Sequence, residues 1–191
     1  MAEIVLFHHV QGLTPGVAAF AETLRRAGHV VHVPDLLEGQ QFASIDEGVA
    51  HVREIGFETI VARGRAAVAD LNQALVYIGM SLGVLPAQAL AQTRPGARGA
   101  VLLHGCVRVE EFGPTWPDSV PVEIHGMDAD PSFVGEGDID AAIALVSQAK
   151  DGELYLYPGN GHLFTDVSLP DYDASAAASL TARVLAFVEP L

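Results

Sequence analysis

One serine of the chain lies in a setting that could make it a nucleophile. Ser81 is the centre of GMSLG at residues 79–83, which has the pattern G-x-S-x-G. The apolar run 75–78 precedes this pattern, and a segment with helical spacing begins at Leu82. A serine on a tight strand-to-helix turn presents its hydroxyl above the sheet, and the two glycines permit the strained backbone. The pattern predicts attack by a serine hydroxyl on a carbonyl carbon. A glycine–serine turn in which Ser81 only caps the helix is the alternative.

A base and an orienting acid for this serine are expected further along the chain. A nucleophilic serine needs a base, and the base needs a carboxylate. Asp128 and Asp130 follow the fifth predicted strand and His162 follows the sixth, which is the order serine, acid, histidine. Asp130 is favoured as the acid because it precedes a proline that can fix its loop. Asp128 stays open, either acid could instead form a turn, and His162 could be an ordinary loop histidine.

An oxyanion hole is expected beside Ser81, formed by two backbone N–H groups. The first is the N–H of Leu82, directly after the nucleophile, and the second comes from the loop that follows the first strand. In that loop, residues 8–13, we predict that Val10 supplies the donor. His9 and Gln11 of the same loop are expected to line the substrate pocket.

The adjacent histidines His8 and His9 could also be interpreted as metal ligands. Neighbouring side chains at a strand end point to opposite faces, and no Cys/His/Asp cluster with ligand spacing accompanies them. We therefore expect no metal site and no cofactor. His8 is instead expected to be a structural residue at the end of the strand.

Alternating apolar runs and helical segments predict the scaffold that positions these residues. Several strand-like runs, such as IVLF and AVLL, have no polar alternation, as expected for parallel strands buried on both faces. Parallel strands need crossover helices, which gives a three-layer α/β/α, doubly wound, mostly parallel six-stranded sheet in one domain, residues 1–191. The predicted strands are 4–8, 30–33, 75–79, 100–103, 122–125 and 154–157, and the predicted helices are 16–27, 46–72 with a break near residue 56, 82–92, 138–149 and 174–188.

The composition of the chain limits the kinds of molecule that it is expected to bind. The chain has 191 residues, of which 50% are hydrophobic, and 10 Lys and Arg against 24 Asp and Glu give a net charge of −14. This charge would repel nucleic acids and anionic membranes, so a small-molecule substrate is expected. The single cysteine, Cys106, excludes an internal disulfide and is not expected to be the nucleophile. The start of the chain lacks the pattern of a secretory signal, and the apolar window 74–91 is interrupted by too many polar, glycine and proline residues to span a membrane. We therefore expect a cytoplasmic protein. A homodimer is left open.

Two other function classes compete with a hydrolase. Gly12, Gly16 and Asp35 loosely imitate a dinucleotide site, but the chain has neither G-x-G-x-x-G nor G-K-[ST] after its first strand, so a phosphate cradle is missing. A catalytically silent relative that binds a small molecule is the second alternative. The presence of all three side-chain types of a catalytic triad argues against it.

Four segments of the chain resemble the dienelactone hydrolase family of α/β-hydrolases. They cover the opening of the chain, the serine turn, the acid loop and the histidine loop, in the order found in that family. The resemblance implies Ser81 as nucleophile, Asp130 as acid and His162 as base, with Val10 and Leu82 as oxyanion donors. The segments are HHVQGLTPGVAAFAETLRRAGHVVHVPDL (8–36), YIGMSLG (77–83), HGMDADPSF (125–133) and YPGNGHLFTD (157–166).

The chain also departs from that family's pattern. The namesake enzymes have cysteine at the serine turn and glutamate in the loop after the first strand, where this chain has Ser81 and His9. These departures favour serine-hydrolase chemistry over hydrolysis of dienelactone itself. The chain starts at what resembles the third strand of the full α/β-hydrolase sheet, without the antiparallel N-terminal strands or a lid insertion. We expect an open site that cleaves small esters or lactones.

Overall fold

Six parallel strands form one open sheet in the order β2-β1-β3-β4-β5-β6. The computed structural model describes residues 1–191. The predicted six-stranded, doubly wound sheet is confirmed, and the sheet is entirely parallel rather than mostly so. The strand order changes direction beside β1, which places a topological switch point between β1 and β3. The strands are β1 Glu3–Phe7, β2 Val30–His32, β3 Val76–Met80, β4 Gly99–Leu103, β5 Val122–Met127 and β6 Gly152–Tyr157.

Seven α-helices connect and cover these strands. The predicted helix over 46–72 is divided at Gly56, whose φ of 87° few residues other than glycine adopt, and its second half ends at Ala67. The short helix after Asp130 was not predicted, and neither was a 3₁₀ turn over Val109–Glu111. The helices are α1 Pro15–Arg26, α2 Ile45–Ile55, α3 Phe57–Ala67, α4 Val84–Thr93, α5 Pro131–Gly135, α6 Asp138–Gln148 and α7 Ala174–Val188.

The core lies in two apolar layers, one on each face of the sheet. Alternate residues of β1 face opposite layers, with Val5 and Phe7 in one and Ile4 and Leu6 in the other. Helices α2, α3, α4 and α6 cover the first layer, and α1 and α7 cover the second. None of the seven helices combines the length and the apolar character that a membrane-spanning helix needs.

Strand register brings the loops that carry the predicted site to one edge of the sheet. Met80 of β3 is level with Leu103 of β4, and Leu103 is level with His125 of β5. Met127 at the end of β5 is level with Tyr157 at the end of β6. Because all strands run in one direction, the loops after β1, β3, β4, β5 and β6 converge at their carboxyl ends.

Candidate active site

Ser81 lies on a strained turn between β3 and α4. Its φ is 47°, a left-handed conformation that costs a non-glycine residue energy and is concentrated at functional sites. The flanking glycines are required by space, because a Cβ on Gly79 would lie 2.3 Å from the carbonyl oxygen of Gly83. Ser81 starts a 3₁₀ turn over Ser81–Gly83 that the sequence did not predict, and α4 follows it. The strand–turn–helix setting expected of a nucleophilic serine is therefore present.

His162 lies between Ser81 and Asp130 within hydrogen-bond distance of both. The Ser81 Oγ is 2.8 Å from His162 Nε2, and His162 Nδ1 is 2.7 Å from Asp130 Oδ2. The His162 side chain is 11% exposed and the Asp130 side chain 1%. If Nδ1–H donates to the carboxylate, Nε2 is left to accept the serine proton. The three side chains have the geometry of a nucleophile, a base and an orienting acid.

The structure brings Asp130, not Asp128, to the histidine. The second oxygen of Asp130, Oδ1, accepts the N–H of Ser132 at 2.9 Å and so caps α5, which begins at Pro131. This cap fixes the carboxylate, as the proline in the sequence suggested. Asp128 is exposed and accepts the N–H of Gly159 at 3.1 Å.

The loop after β1 packs directly against the serine turn. A Cβ on Gly83 would lie 2.3 Å from the carbonyl oxygen of Phe7 and 2.8 Å from that of His8. The Val10 N–H donates no hydrogen bond to another group of the protein. A buried N–H normally has an acceptor, so an N–H without one beside a nucleophile is a candidate oxyanion donor.

His9 does not occupy the position that the sequence predicts for it. It is 1% exposed, and its Nε2 is 2.9 Å from Asp166 Oδ2. The prediction that His9 lines the pocket is thus at odds with the structure. The partner, Asp166, comes 157 residues later in the chain, and no local pattern reveals the pairing.

Gln11 borders a small cavity beside the histidine loop. The cavity has a volume of about 230 Å³ and lies between the loop after β1, the start of α2 and residues 169–171. Asp171 lines this cavity, and its carboxylate accepts the backbone N–H of His162 at 3.2 Å. The Gln11 side chain donates to the carbonyl of Phe42 at 3.1 Å, which fixes its position at the cavity wall.

Two titratable side chains that were not predicted from the sequence lie next to the triad. His104 follows β4, has a φ of 64°, and its ring meets that of His162 edge-on at 6.2 Å. Burial lowers the pKa of His104 well below that of a free histidine, so the ring is neutral. Asp138, at the start of α6, accepts the N–H of Cys106 at 3.0 Å, and burial raises its pKa. Apart from a histidine that ends a strand and an acid that starts a helix, the sequence carries no signal for these contacts.

Other groups of the protein that could do chemistry are less well placed. Cys106 is buried, and burial raises the pKa of its thiol, so little thiolate forms at neutral pH. No three His, Cys, Asp or Glu side chains are grouped so that they could hold a metal ion. A cavity of about 640 Å³ lies at the opposite edge of the sheet, away from the triad, and is lined in part by Glu3, Val30 and Val76.

The parallel sheet and the serine, histidine and aspartate at its carboxyl edge define the α/β-hydrolase class. Residues 1–191 match the profile of the dienelactone hydrolase family over their full length. The chain belongs to this family, and so to a family of hydrolases.

Solved structures share this fold at low sequence identity. A candidate dienelactone hydrolase from Klebsiella pneumoniae has a TM-score of 0.77 at 16% identity, with 100% of this chain and 88% of that chain covered. A dienelactone hydrolase-like promiscuous phosphotriesterase from metagenomic libraries has a TM-score of 0.76 at 19% identity, with coverages of 100% and 87%. A dienelactone hydrolase from Anabaena variabilis has a TM-score of 0.69 at 20% identity, with coverages of 97% and 84%. No curated protein matches the chain. At these identities the likeness is one of fold.

Proposed function

We propose that this protein is a serine hydrolase that cleaves small ester or lactone substrates through an acyl-enzyme intermediate. The observation that carries the proposal is the pair of short contacts made by His162, 2.8 Å to the Ser81 hydroxyl and 2.7 Å to the Asp130 carboxylate. The strained turn at Ser81 supports it, because such strain persists where the surroundings impose it for function.

In the first half of the reaction, the Ser81 Oγ attacks the carbonyl carbon and its proton moves to His162 Nε2. The carbonyl oxygen becomes an oxyanion that accepts hydrogen bonds from the N–H groups of Val10 and Leu82. His162 then gives the proton to the leaving oxygen as the bond between carbon and that oxygen breaks. Asp130 holds the Nδ1–H tautomer and stabilises the imidazolium while it exists.

In the second half, His162 takes a proton from water, and the resulting hydroxide attacks the acyl carbon. The bond between this carbon and Ser81 Oγ breaks, and His162 returns the proton to the serine. Neutral His104 beside His162 suits both halves, because a second positive charge there would oppose formation of the imidazolium.

A small substrate is supported by the size of the space beside the site. The cavity next to Gln11 and the His162 loop has a volume of only about 230 Å³. Ser81 itself is half-buried, so a substrate can approach from solvent. We therefore expect short-chain esters and small lactones, rather than esters with long acyl chains, as substrates.

Hydrolysis of p-nitrophenyl acetate by the wild type and two serine variants tests the proposal. Ser81→Ala should reduce turnover at least 1000-fold, because the nucleophile is lost. The matched control is Ser179→Ala, an exposed serine of α7 whose hydroxyl donates only to the carbonyl of Ser175. The control should retain wild-type activity. Equal activity of Ser81→Ala and wild type would refute the proposal. A wild type without activity toward esters, lactones and thioesters would favour the alternative, a catalytically silent relative that binds a small molecule.

A further inference from the structure

Two adjacent histidines and a buried aspartate surround the peptide bond whose N–H we assign to the oxyanion. We propose that His8, His9 and Asp166 are positioning residues that aim the Val10 N–H at the oxyanion. The inference rests on the proposed serine-hydrolase function. It gives a role to a pair of histidines that the triad does not use.

The carbonyl of the His9–Val10 peptide is held by two donors. The His9 oxygen accepts the N–H of Gly12 at 3.0 Å and the Nδ1–H of His8 at 2.7 Å. The chain has no cis peptide bond, so the Val10 N–H points away from this carbonyl. Because the peptide is planar, fixing the His9 oxygen also fixes the direction of the Val10 N–H.

The other side of the His8 ring explains why its Nδ1 carries the proton. His8 Nε2 accepts the N–H of Leu36 at 2.9 Å, so in the neutral ring the hydrogen lies on Nδ1. His8 is fully buried, and burial lowers its pKa, although Asp35 lies 3.6 Å from Nε2. A neutral His8 can therefore donate to the His9 carbonyl throughout the neutral pH range.

The His9 ring joins the next residue of the loop to Asp166. His9 Nδ1 accepts the N–H of Gln11 at 3.3 Å, and Nε2–H donates to Asp166 Oδ2 at 2.9 Å. Both contacts are satisfied by the neutral ring with its hydrogen on Nε2. The residues on either side of Val10 are thus fixed by one imidazole.

Asp166 ties this loop to the loop that carries the catalytic histidine. It lies four residues after His162 and is 1% exposed. Its carboxylate accepts hydrogen bonds from the Thr14 hydroxyl and from the backbone N–H and hydroxyl of Ser168, the last two at 2.8 and 2.6 Å. It packs so closely against Gly16 that a Cβ there would lie 1.7 Å from Asp166 Oδ1. One carboxylate therefore couples the position of the oxyanion donor to that of the base.

Removing the Asp166 charge should impair turnover more than substrate binding. An N–H that meets only the oxyanion contributes to the transition state and not to the ground state. Complete loss of such a donor costs on the order of 100- to 1000-fold in turnover. Asp166→Asn misdirects the donor rather than removing it, so we expect kcat to fall about 10- to 100-fold while KM changes less than about threefold.

The test measures p-nitrophenyl acetate hydrolysis by Asp166→Asn, His9→Phe and His9→Gln. His9→Gln keeps an N–H donor for Asp166 and should retain more of kcat than His9→Phe, which keeps none. The matched control is Asp173→Asn, which removes a partly exposed carboxylate that caps α7 but does not touch the loop after β1. Its kcat should stay at the wild-type value. Binding of a trifluoromethyl ketone, which forms an oxyanion on Ser81, should weaken in parallel with kcat/KM.

Hydrogen exchange gives a readout that does not depend on activity. The amides of Gln11 and Gly12 donate to the His9 ring and the His9 carbonyl, so they should exchange faster in Asp166→Asn than in the wild type. Exchange at Ile78 in the core of β3 should be unchanged. If the wild type hydrolyses no ester, the proposed function fails, and exchange still tests the network. Wild-type kcat and wild-type exchange at residues 11 and 12 in folded Asp166→Asn, or an equal loss of kcat in Asp173→Asn, would overturn the inference.

Discussion

Replacing Asp166 with asparagine should weaken the fold by an amount that depends on pH. Burial alone would raise the pKa of Asp166, but hydrogen bonds from His9, Ser168 and Thr14 outweigh it and lower the pKa from 3.8 to about 2. A carboxyl whose pKa is lower in the folded than in the unfolded state stabilises the fold above its unfolded pKa. That stability disappears as the pH falls through the folded pKa.

The size of this effect follows from the difference between the two pKa values. One pH unit corresponds to about 1.4 kcal/mol, so a decrease from 3.8 to about 2 is worth about 2 kcal/mol. Above pH 5, Asp166→Asn should therefore lose at least about 2 kcal/mol of unfolding free energy. The gap to the wild type should shrink between pH 4 and pH 2, because the wild-type carboxylate becomes protonated there. A typical domain has about 5–15 kcal/mol of stability, so the variant should remain folded at neutral pH.

Urea unfolding followed by circular dichroism at pH 7, 4 and 2.5 measures this difference directly. Asp173→Asn serves again as the control, since the Asp173 carboxylate caps a helix on the protein surface. A gap between wild type and Asp166→Asn that is constant from pH 7 to pH 2.5 would contradict the reasoning. It would mean that packing, not the ionised carboxylate, accounts for the effect of the substitution.

Three further perturbations have expected outcomes. Asp130→Asn should reduce kcat about 10⁴-fold, because the tautomer of His162 that accepts the serine proton is lost. Asp128→Asn, in an exposed turn, should leave kcat unchanged. A large loss of kcat in Asp128→Asn and none in Asp130→Asn would assign the acid's role to Asp128. Gly83→Ala places a methyl group 2.3 Å from the Phe7 carbonyl oxygen, so the serine turn and the loop after β1 must move apart by about 1 Å. Because this displaces Ser81, kcat should fall on the order of 100-fold. Wild-type kinetics would show that the turn tolerates this separation. His104 stays neutral in the folded protein and becomes protonated in the unfolded chain. Below pH 6.5 this difference should lower the unfolding free energy by about 1.4 kcal/mol for each pH unit of acidification. In urea titrations, the plot of unfolding free energy against pH should be shallower by that amount for His104→Phe, and an unchanged slope would contradict the assignment.

The sheet could be predicted from the sequence because each strand and helix is marked by a pattern within its own short segment. The apolar runs and helical spacings were sufficient for six strands, the break at Gly56 and a serine on a strand-to-helix turn. The order of Ser81, Asp130 and His162 after successive strands also predicted which residues meet, because parallel strands carry their loops to one edge. Small elements such as α5 were missed, because its five residues are too few to show a helical period.

The positions of His9, His104 and Asp138 could not be predicted in the same way. Each depends on a partner far along the chain, such as Asp166 for His9 or Thr165, 2.8 Å from His104 Nε2. A histidine at a strand end can face a pocket or be buried against another loop, and the strand pattern does not distinguish these outcomes. Only the packed loops decide between them.

Covalent labelling of the purified protein with a fluorophosphonate probe tests the central claim most directly. Ser81 attacks phosphorus only if His162 takes its proton, so intact-mass analysis should show one adduct, and peptide mapping should place it on Ser81. Labelling should disappear in Ser81→Ala and be slowed strongly in Asp130→Asn. An unmodified Ser81 in folded wild-type protein, or an adduct on another residue that survives Ser81→Ala, would contradict the account.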